Sequence, residues 1–403
     1  MSDVDVLIVG AGPAGTAAAI TLTRSGRSVL VVDKASFPRD KICGDGLTTS
    51  ALRHLEGLGV EPHQIDSWLP VHDVVVRAPY GVERRFALPR GQGLYAVVAT
   101  RRDLDAALVD RARKDGAEIA EGAALTSIAN TADGVVAEVE GLGEVRARFA
   151  VAADGMWSPT RKLLGAGVEG YRGEWHAFRQ YVGGVSGRAA TDLVVFFEPD
   201  FLPGYFWSFP LPGGRANIGF GIQRGGTHSI QDMKGLWQDL LQRPHVRELL
   251  GPDVEPLEPH RAWPIPCRPG ELSTSAGSVL FVGDAVGACD VMTGEGIGQA
   301  LQTGEMAARH INASWHDPAL VAAGYEAEFL TELGNDARMS SLLVRALQHR
   351  KGAAAALAVA GTNDWTRRNF IRWLFEDSPR GIMYRPSLWR RGALSGPGAY
   401  RSS

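Results

Sequence analysis

Cysteine is scarce in this chain of 403 residues, which has only three, Cys43, Cys267 and Cys289. Their wide spacing matches no metal-ligand pattern, and an odd, scattered set argues against a disulfide framework. We therefore expect no metal site and a reducing compartment, the cytoplasm. The first apolar strand starts within a few residues of Met1, so we also expect no signal peptide.

Long apolar runs and net charge are lacking too. No uncharged apolar run reaches the length of a membrane span, and Ala353 to Ala360 is far too short. The 42 basic and 45 acidic residues leave a formal charge of −3, which argues against nucleic acid as the main partner. What remains is the composition of an ordinary globular protein. The length exceeds what one compact core can organise, so we expect two or more domains.

The small net charge conceals a basic C-terminal region. From residue 338 to the end there are twelve Lys and Arg but three Asp and Glu, a formal charge of about +9. Within it, Asp364 to Phe375 mixes bulky aromatic residues with arginines. Such a segment suits a helix at an anionic membrane surface. It also suits a helix that packs its aromatics on its own domain, the interpretation that we adopt, with peripheral membrane contact as the alternative.

Residues Val4 to Gly15 read V-D-V-L-I-V-G-A-G-P-A-G, an apolar strand that leads into a glycine turn. Gly10 permits the tight turn, Gly12 lets the backbone approach a pyrophosphate, and Gly15 lets the following helix pack closely on the strand. The first helical amides then face the phosphate oxygens. A second apolar run ends in Asp33, where an acid meets a ribose hydroxyl. The alternative is a βαβ unit whose glycines serve packing only, but strand, helix and acid together favour a dinucleotide site.

Two further turns follow predicted buried strands. Ala153 to Arg161 contains an Asp-Gly turn that can reach back over a bound nucleotide. Val282 to Gly287 contains Asp284, which is placed to accept a hydrogen bond from a sugar-chain hydroxyl. Three glycines between residues 294 and 298 then open a helix whose amides can face an electron-rich ring edge. Each turn alone is usually structural, but their order after the first motif favours one nucleotide site.

These motifs lie in separated segments of the chain. We expect one nucleotide-binding domain from residues 1–55, 98–165 and 275–320. The segments between them are β-rich, with Gly and Pro at the strand ends, and predict a substrate domain from residues 56–97 and 166–274. Residues 321–403 read as helices followed by a Pro/Gly/Ser-rich tail. The sequence thus predicts an α/β fold: a Rossmann-type nucleotide-binding domain, an inserted, mostly antiparallel sheet and a helical C-terminal region.

The motifs resemble those of flavoproteins of the para-hydroxybenzoate hydroxylase fold, which include hydroxylases, halogenases and reductases. Two narrower stretches are similar to the geranylgeranyl reductase family. They are Phe37 to Leu47, F-P-R-D-K-I-C-G-D-G-L, and Leu202 to Leu211, L-P-G-Y-F-W-S-F-P-L. The resemblance implies FAD, with Asp33 on the adenosine ribose, Arg101 near the phosphates and Asp284 on the ribityl chain. The residues that it implies for cofactor contact are Gly10, Gly12, Ala14, Gly15, Asp33, Lys34, Cys43, Gly44, Arg101, Asp154, Gly155, Gly283, Asp284, Gly294, Gly296 and Ile297.

The resemblance also implies saturation of isolated double bonds in a prenyl chain of a lipid, quinone or natural product. We expect such an alkene to take a proton on one carbon and a hydride from reduced flavin on the other, with cationic character between the two steps. A dry pocket rich in aromatic faces suits that species. Tyr205, Trp207 and Phe209 alternate along a predicted strand, so they project from one side of the sheet. They either form such a wall or fill the core.

Cys43 lies in a glycine-flanked loop, where it is either a small buried hydrophobe or a flavin-facing thiol. The resemblance favours the second, with the thiol tuning the ring, because a thiol of normal pKa is a poor acid toward an alkene. Lys41 and Asp45 are secondary candidates, of a kind that is more often solvated. The chain shows no second dinucleotide motif, so either NAD(P)H docks transiently at the flavin or a reduced electron-carrier protein supplies electrons.

Two other functions stay open. A monooxygenase or halogenase-like enzyme would act on an aromatic or polyketide substrate. Flavin halogenases have a W-x-W-x-I-P motif and an essential lysine, whereas this chain reads Y-F-W-S-F-P from Tyr205 to Pro210 and shows no identifiable counterpart of that lysine. A flavin-bearing binding protein without catalysis is the third. The exact substrate, the double bonds reduced, the electron donor, the proton donor and the oligomeric state are not predicted.

Overall fold

The computed structural model describes residues 2–363, 366, 370, 372 and 396–401. Its strands are β1 (Ser2–Val9), β2 (Val29–Asp33), β3 (Gly46–Leu47), β4 (Leu69–Pro70), β5 (Asp73–Arg77), β6 (Glu83–Ala87), β7 (Val97–Val98), β8 (Glu118–Glu121), β9 (Leu125–Thr131), β10 (Gly134–Val139), β11 (Gly143–Ala152), β12 (Trp175–Gly183), β13 (Leu193–Phe196), β14 (Tyr205–Leu211), β15 (Arg215–Gln223), β16 (Glu255–Pro256), β17 (Arg261–Ile265), β18 (Ser275–Ala276) and β19 (Val279–Phe281). Its helices are α1 (Pro13–Arg24), α2 (Thr49–Gly57), α3 (Arg101–Lys114), α4 (Pro159–Leu163), α5 (Met233–Gln242), α6 (Pro244–Leu250), α7 (Ile297–Ala313), α8 (Pro318–Phe329), α9 (Asn335–Leu347) and α10 (Arg350–Ala360).

A parallel sheet in the order β19-β11-β1-β2-β8 forms the centre of the first domain. Its inner strands are continuous apolar runs, as expected for a sheet that is covered on both faces. In β1, Val6 to Val9 are buried and pair with the equally buried start of β2. Helix α1 begins with Pro13 at its first position and continues through alanines, which favours helix formation and close packing on α3 and α7.

An antiparallel meander, β9-β10-β11, extends this sheet. Sequence analysis did not predict β9 and β10. In β9 only Ile128 is buried, so its sequence lacks the alternation of apolar and polar residues that indicates a strand. Strand β11 leads into the predicted Asp-Gly turn at residues 154 and 155.

A second large sheet has the order β16-β12-β15-β14-β13-β5-β6, with β17 beside β12. All of its neighbours are antiparallel except β13 and β5. The pleat sends Phe206 and Phe220 into a core under α5 and α6, where Phe220 stacks on Trp237 at 5.7 Å between ring centroids. The opposite face of this sheet is therefore available to the first domain.

The predicted fold class is confirmed: a Rossmann-type domain, an inserted, mostly antiparallel sheet and a helical C-terminal region. Strands β3, β7 and β4 form a small third sheet. The strands of the first sheet come from residues 2–33, 118–152 and 275–281, and those of the second from residues 73–87 and 175–265. The domain boundaries themselves stay a prediction.

Helices α8 to α10 follow the nucleotide-binding segments, and residues 396–401 return to pair with the first half of the chain. Ala399 bridges to Leu94, and Tyr400 donates a hydrogen bond to Val60 O at 2.6 Å. The basic aromatic segment Asp364 to Phe375, apart from three of its residues, and most of the predicted tail lie outside the described residues. Within the described part, no helix is both long and apolar enough to cross a bilayer.

Candidate functional site

A cavity of about 680 Å³ lies between the two large sheets, where β1, β2 and β19 end. Carboxyl ends of parallel strands are the usual place for a ligand in such folds. The predicted residues that line it are Gly10, Gly12, Ala14, Asp33, Lys34, Cys43, Gly44, Arg101, Asp154, Gly155, Tyr205, Trp207, Phe209, Gly283, Asp284, Gly294, Gly296 and Ile297. Gly15 is not among the lining residues. A Cβ there would lie 1.8 Å from Gly10 O, so its glycine serves helix packing.

The N-terminus of α1 faces this cavity with open backbone. Gly10, at φ +104°, makes the turn, because a Cβ there would lie 2.4 Å from Ala153 O. Gly12 is the N-cap, and no side chain of the described chain caps it by a hydrogen bond. A Cβ at Gly12 would meet nothing nearer than Arg39 Nη2, at 3.7 Å. Uncapped amides and the helix dipole together suit a phosphate group.

Two arginines share one buried carboxylate beside this turn. Arg101 Nε and Nη2 donate to the two oxygens of Asp105 at 2.8 Å each, and Arg39 Nη1 lies 3.0 Å from Asp105 Oδ2. Two guanidinium groups on one carboxylate leave a net positive charge, which suits an anion. Sequence analysis missed Arg39, although it lies within the reductase-like Phe37 to Leu47 stretch.

Asp33 ends β2 and binds the glycine turn. Its Oδ2 accepts a hydrogen bond from Ala11 N at 2.8 Å, and its Oδ1 accepts one from Ala35 N at 2.9 Å. The side chain is half-buried at the cavity edge, so its carboxylate has further lone pairs for a sugar hydroxyl. Its contact with a ribose stays a prediction.

The acids of the other two turns also have protein partners. Asp154 accepts from Ser158 Oγ at 2.6 Å and from Thr160 N at 2.8 Å, which fixes the start of α4. Asp284 Oδ1 accepts from Cys289 Sγ at 3.3 Å. A hydrogen bond with Cys267 and burial hold the pKa of the Cys289 thiol well above its usual value, so the thiol is the proton donor in this contact.

The N-terminus of α7 is occupied by a side chain. Glu295 Oε1 accepts hydrogen bonds from Ile297 N at 3.1 Å and Gly298 N at 3.0 Å. Burial and the neighbouring Asp290 raise the pKa of Glu295 to about 7, although the helix amides oppose this shift. The sequence predicts these amides to face a ring edge, and the acid between the glycines was missed. An acid just before a helix start was the available signal.

Strand β14 lines the opposite side with aromatic rings. Tyr205, Trp207 and Phe209 lie on one face, with successive ring centroids 6.1 Å and 6.3 Å apart. Trp207 Nε1 donates to Asn217 Oδ1 at 3.1 Å, which fixes the indole ring. A Cβ at Gly219 would lie 2.2 Å from the same ring, so only glycine leaves room for it. We call Tyr205, Trp207 and Phe209 the aromatic wall.

The Cys43 loop lies against this wall. Cys43 is half-buried and lines the cavity, and burial raises the pKa of its thiol. Asp45, a secondary candidate of a kind that is more often solvated, is wholly buried. It accepts hydrogen bonds from Tyr181 Oη at 2.6 Å, Asn217 Nδ2 at 2.8 Å and Arg101 N at 3.2 Å. Sequence analysis missed Tyr181 and Asn217, which lie on distant strands.

Two cations lie near the same loop. Lys41 is half-buried instead of fully solvated: its Nζ lies 3.8 Å from the Trp263 ring centroid, and burial lowers the pKa of its ammonium group. Arg179, which is 1% exposed, pairs with Asp40 at 2.7 Å and with Glu258. Arg179 was not predicted from the sequence.

The cavity continues from the aromatic wall to apolar side chains of the C-terminal helices: Leu347, Ala353, Ala356, Leu357 and Phe370. One continuous space therefore has a positively charged end with open glycine backbone and an aromatic and aliphatic end. The first fits the pyrophosphate of a dinucleotide, and the second fits a flat ring beside an apolar chain.

Comparisons with known proteins agree with this geometry. Residues 3–319 match the family model described as FAD binding domain. A menaquinone reductase of Mycolicibacterium smegmatis is 33% identical over 329 residues, 75% of either chain. Digeranylgeranylglycerophospholipid reductase 2 of Methanopyrus kandleri is 35% identical over 314 residues, also 75% of either chain.

Solved structures share the fold at lower identity. A geranylgeranyl bacteriochlorophyll reductase-like protein of Thermoplasma acidophilum has a TM-score of 0.79 at 20% identity, covering 90% of this chain and 92% of that one. A flavin-dependent brominase has a TM-score of 0.73 at 20% identity, covering 96% of this chain and 98% of that one. The fold therefore occurs in enzymes of different chemistry.

Proposed function

This chain belongs to the FAD-binding domain family of flavoprotein oxidoreductases, and from that premise we propose that it saturates carbon–carbon double bonds of a prenyl chain. The supporting observation is the continuity of the cavity: the dinucleotide end opens onto the aromatic wall, which leads to aliphatic residues of α9 and α10. Relatives named as reductases of a menaquinone and of a geranylgeranylated lipid support the same substrate class.

The chain's own residues divide the tasks of binding FAD. We assign the pyrophosphate to the amides at Gly12 and the start of α1, with Arg39 and Arg101 nearby. Asp33 is assigned to the ribose and Asp284 to the ribityl chain. The remaining cofactor assignments are those predicted from the sequence. FAD, once reduced, supplies the hydride.

The aromatic wall would act on the alkene. Adding a proton and a hydride breaks one π bond and forms two C–H bonds, and positive charge develops on carbon between the two events. Faces of Tyr205, Trp207 and Phe209 stabilise a cation and exclude water, which would otherwise trap it. We assign these three residues to substrate binding, with Cys43 as a residue that tunes the reacting end.

Anaerobic reduction with dithionite tests this function. Adding a geranylgeranyl substrate to the reduced protein should reoxidise the flavin without oxygen. Reoxidation only after oxygen is admitted, with a transient hydroperoxide band, would support the monooxygenase or halogenase alternative. A reduced spectrum that is stable to every prenyl lipid would support a binding protein.

Finer features of the function are proposals as well. We propose that NAD(P)H, docking transiently, or a reduced electron-carrier protein supplies the electrons. Stopped-flow mixing of the oxidised protein with NADPH, NADH or reduced ferredoxin would identify the donor. We also propose a cytoplasmic location, with peripheral membrane contact through the basic C-terminal region as the alternative. Flotation of the full chain with anionic liposomes, compared with a chain truncated before Asp364, tests that contact.

A further inference from the structure

Asp45 is a buried carboxyl group whose hydrogen-bond donors are all neutral. They are the Tyr181 hydroxyl, the Asn217 carboxamide and the backbone amide of Arg101. The guanidinium of Arg101 is engaged with another carboxylate, and that of Arg179 lies 4.0 Å over the Tyr181 ring. Burying a carboxylate without an ion pair to its own oxygens costs folding free energy, so the residue must contribute something other than an ion pair.

The hydrogen bonds of Asn217 connect Asp45 to two neighbouring residues that line the cavity, Cys43 and Trp207. Asn217 Nδ2 donates to Asp45 Oδ2 and to Cys43 O, each at 2.8 Å. Its Oδ1 accepts from Trp207 Nε1 at 3.1 Å. One carboxylate therefore orients the carboxamide that binds the Cys43 backbone and the Trp207 indole at the same time.

The backbone at Asp45 is also unusual. Its φ is +65°, in the left-handed region that residues other than glycine rarely adopt. Its carbonyl accepts from Ala99 N at 3.0 Å, and its amide lies 3.5 Å from Cys43 Sγ. Such strain persists where the surroundings hold it, and it is frequent at functional sites.

We propose that Asp45 is a positioning residue, whose ionised carboxylate holds the Cys43 loop and Trp207 in fixed positions beside each other in the cavity. This inference rests on the proposed function, since it says what keeps the Cys43 loop and the aromatic wall in place for the reaction. Hydrogen bonds to an ionised acceptor are roughly twice as strong as those to a neutral one. Protonating Asp45 therefore weakens the hydrogen bonds that it accepts from Tyr181, Asn217 and the Arg101 amide.

The pH at which this happens is accessible. Burial raises the pKa of Asp45 to about 6, although the bonds from Tyr181 and Asn217 and the charge of Arg179 oppose the shift. The other groups that face Asp45 are the Cys43 thiol on its own loop and Arg101 on α3. Asp45 is therefore mainly ionised above pH 6 and mainly protonated below it. We therefore expect enzyme activity to fall as the pH is lowered through about 6.

The raised pKa also gives the sign of the stability effect. A carboxyl group whose pKa is higher in the folded than in the unfolded chain favours folding less once it is ionised. At neutral pH, Asp45→Asn removes the free-energy cost of the buried charge, and it also weakens the hydrogen bonds from Tyr181, Asn217 and the Arg101 amide. A residue with a purely structural role would behave in the opposite way, losing stability together with activity.

The first experiment compares the wild-type holoenzyme with Asp45→Asn. We expect the variant to retain FAD and to melt near the wild-type temperature, because relief of the buried charge offsets the hydrogen bond that the introduced amide nitrogen cannot accept. Its kcat on a geranylgeranyl substrate should fall on the order of tenfold to a hundredfold with little change in KM, because reacting groups are displaced. We also expect the visible flavin spectrum of the wild type to change near pH 6, and this change should be absent from the variant.

A second pair of variants keeps the carboxylate. Tyr181→Phe removes a bond that lowers the pKa of Asp45, so both the acid limb and the spectral transition should move to higher pH. Tyr325→Phe is the matched control: it removes a buried hydroxyl that donates to Phe281 O at 2.7 Å, away from Asp45. It should leave both transitions in place. If Asp45→Asn does not fold, the pH of the two transitions in Tyr181→Phe and Tyr325→Phe tests the proposal instead.

Several results would overturn the inference. The first is a wild-type kcat and pH profile in Asp45→Asn, and the second is the loss of both FAD and thermal stability in that variant. The third is an acid limb and a spectral transition at the same pH in Tyr181→Phe as in Tyr325→Phe. Failure of the wild-type protein to bind FAD at any pH, or to reduce a prenyl substrate, would instead contradict the proposed function, so the two failures are distinguishable.

Discussion

The two ends of the cavity are built in different ways. At the nucleotide end, the groups offered to a ligand are backbone amides in glycine turns that directly follow parallel strands. At the reaction end, they are side chains from β12, β14 and the Cys43 loop, and buried hydrogen bonds of Asn217 on β15 orient them. Changes at the first end should therefore act on cofactor affinity, and changes at the second on turnover.

Helices α1 and α7 show the same contrast at their N-termini. Helix α1 presents uncapped amides at Gly12, whereas the first amides of α7 are bonded to Glu295. A fixed positive site suits a permanently charged pyrophosphate. A site shared with a titratable carboxylate suits a ring whose charge changes during the reaction.

The largest expected effect comes from closing the nucleotide end. Gly12→Ala should weaken FAD binding on the order of a hundredfold, about 2.8 kcal/mol, because the new methyl group prevents close approach of the pyrophosphate. The stability of the protein without FAD should not change, since the nearest atom to that methyl is 3.7 Å away and φ is −75°. FAD titration and calorimetry measure both quantities. Gly235→Ala on α5, where a Cβ meets nothing, is the control.

The next effect tests the aromatic wall. Trp207→Ala should keep FAD but lower kcat roughly tenfold or more, beyond a stability loss of about 3 kcal/mol from the emptied space. Trp237→Ala empties a similar volume in the other core and should cost stability alone. Equal kcat losses, measured per mole of bound flavin, would show that the wall only fills space.

Cys43→Ala tests the loop between the two ends with a smaller change. FAD should stay bound while turnover falls by several-fold, roughly 1 kcal/mol in the barrier, if the cavity-lining thiol tunes the flavin as we propose. Cys267→Ala, a buried cysteine outside the lining residues, is the comparison. Unchanged steady-state turnover in Cys43→Ala would remove that residue from the mechanism.

The smallest effect concerns the two helix termini. The Glu295 carboxylate, with its pKa at about 7, is ionised above that pH and then binds the α7 amides most strongly. FAD affinity should therefore fall several-fold as pH rises through 7, at most about tenfold per pH unit. Glu295→Gln should flatten this dependence. Asp317→Asn, which alters an acid cap on α8, should preserve it, and identical pH profiles for both variants would contradict the assignment.

How far the sequence predicts the molecule differs between the two ends as well. The glycine turns, Asp33 and Asp284 follow from local patterns, because strand, turn and helix lie next to each other in the chain. The projection of Tyr205, Trp207 and Phe209 from one side of the sheet also follows from a local pattern, since side chains alternate along a strand.

The Asp45 network could not be predicted in this way. Tyr181 and Asn217 lie 136 and 172 positions from Asp45, and no local pattern indicates that pairing. A charged residue between glycines is typical of a solvated loop, and only the packed fold shows that this one is buried. Glu295 was missed because its role depends on the direction of one side chain at the start of α7.

The most direct test of the central claim is mass spectrometry of the prenyl product after anaerobic turnover with dithionite-reduced protein. The account predicts that the product gains two hydrogens for each double bond lost and no oxygen. A product that forms only when oxygen is admitted, and that gains an oxygen or a halogen atom, would contradict it.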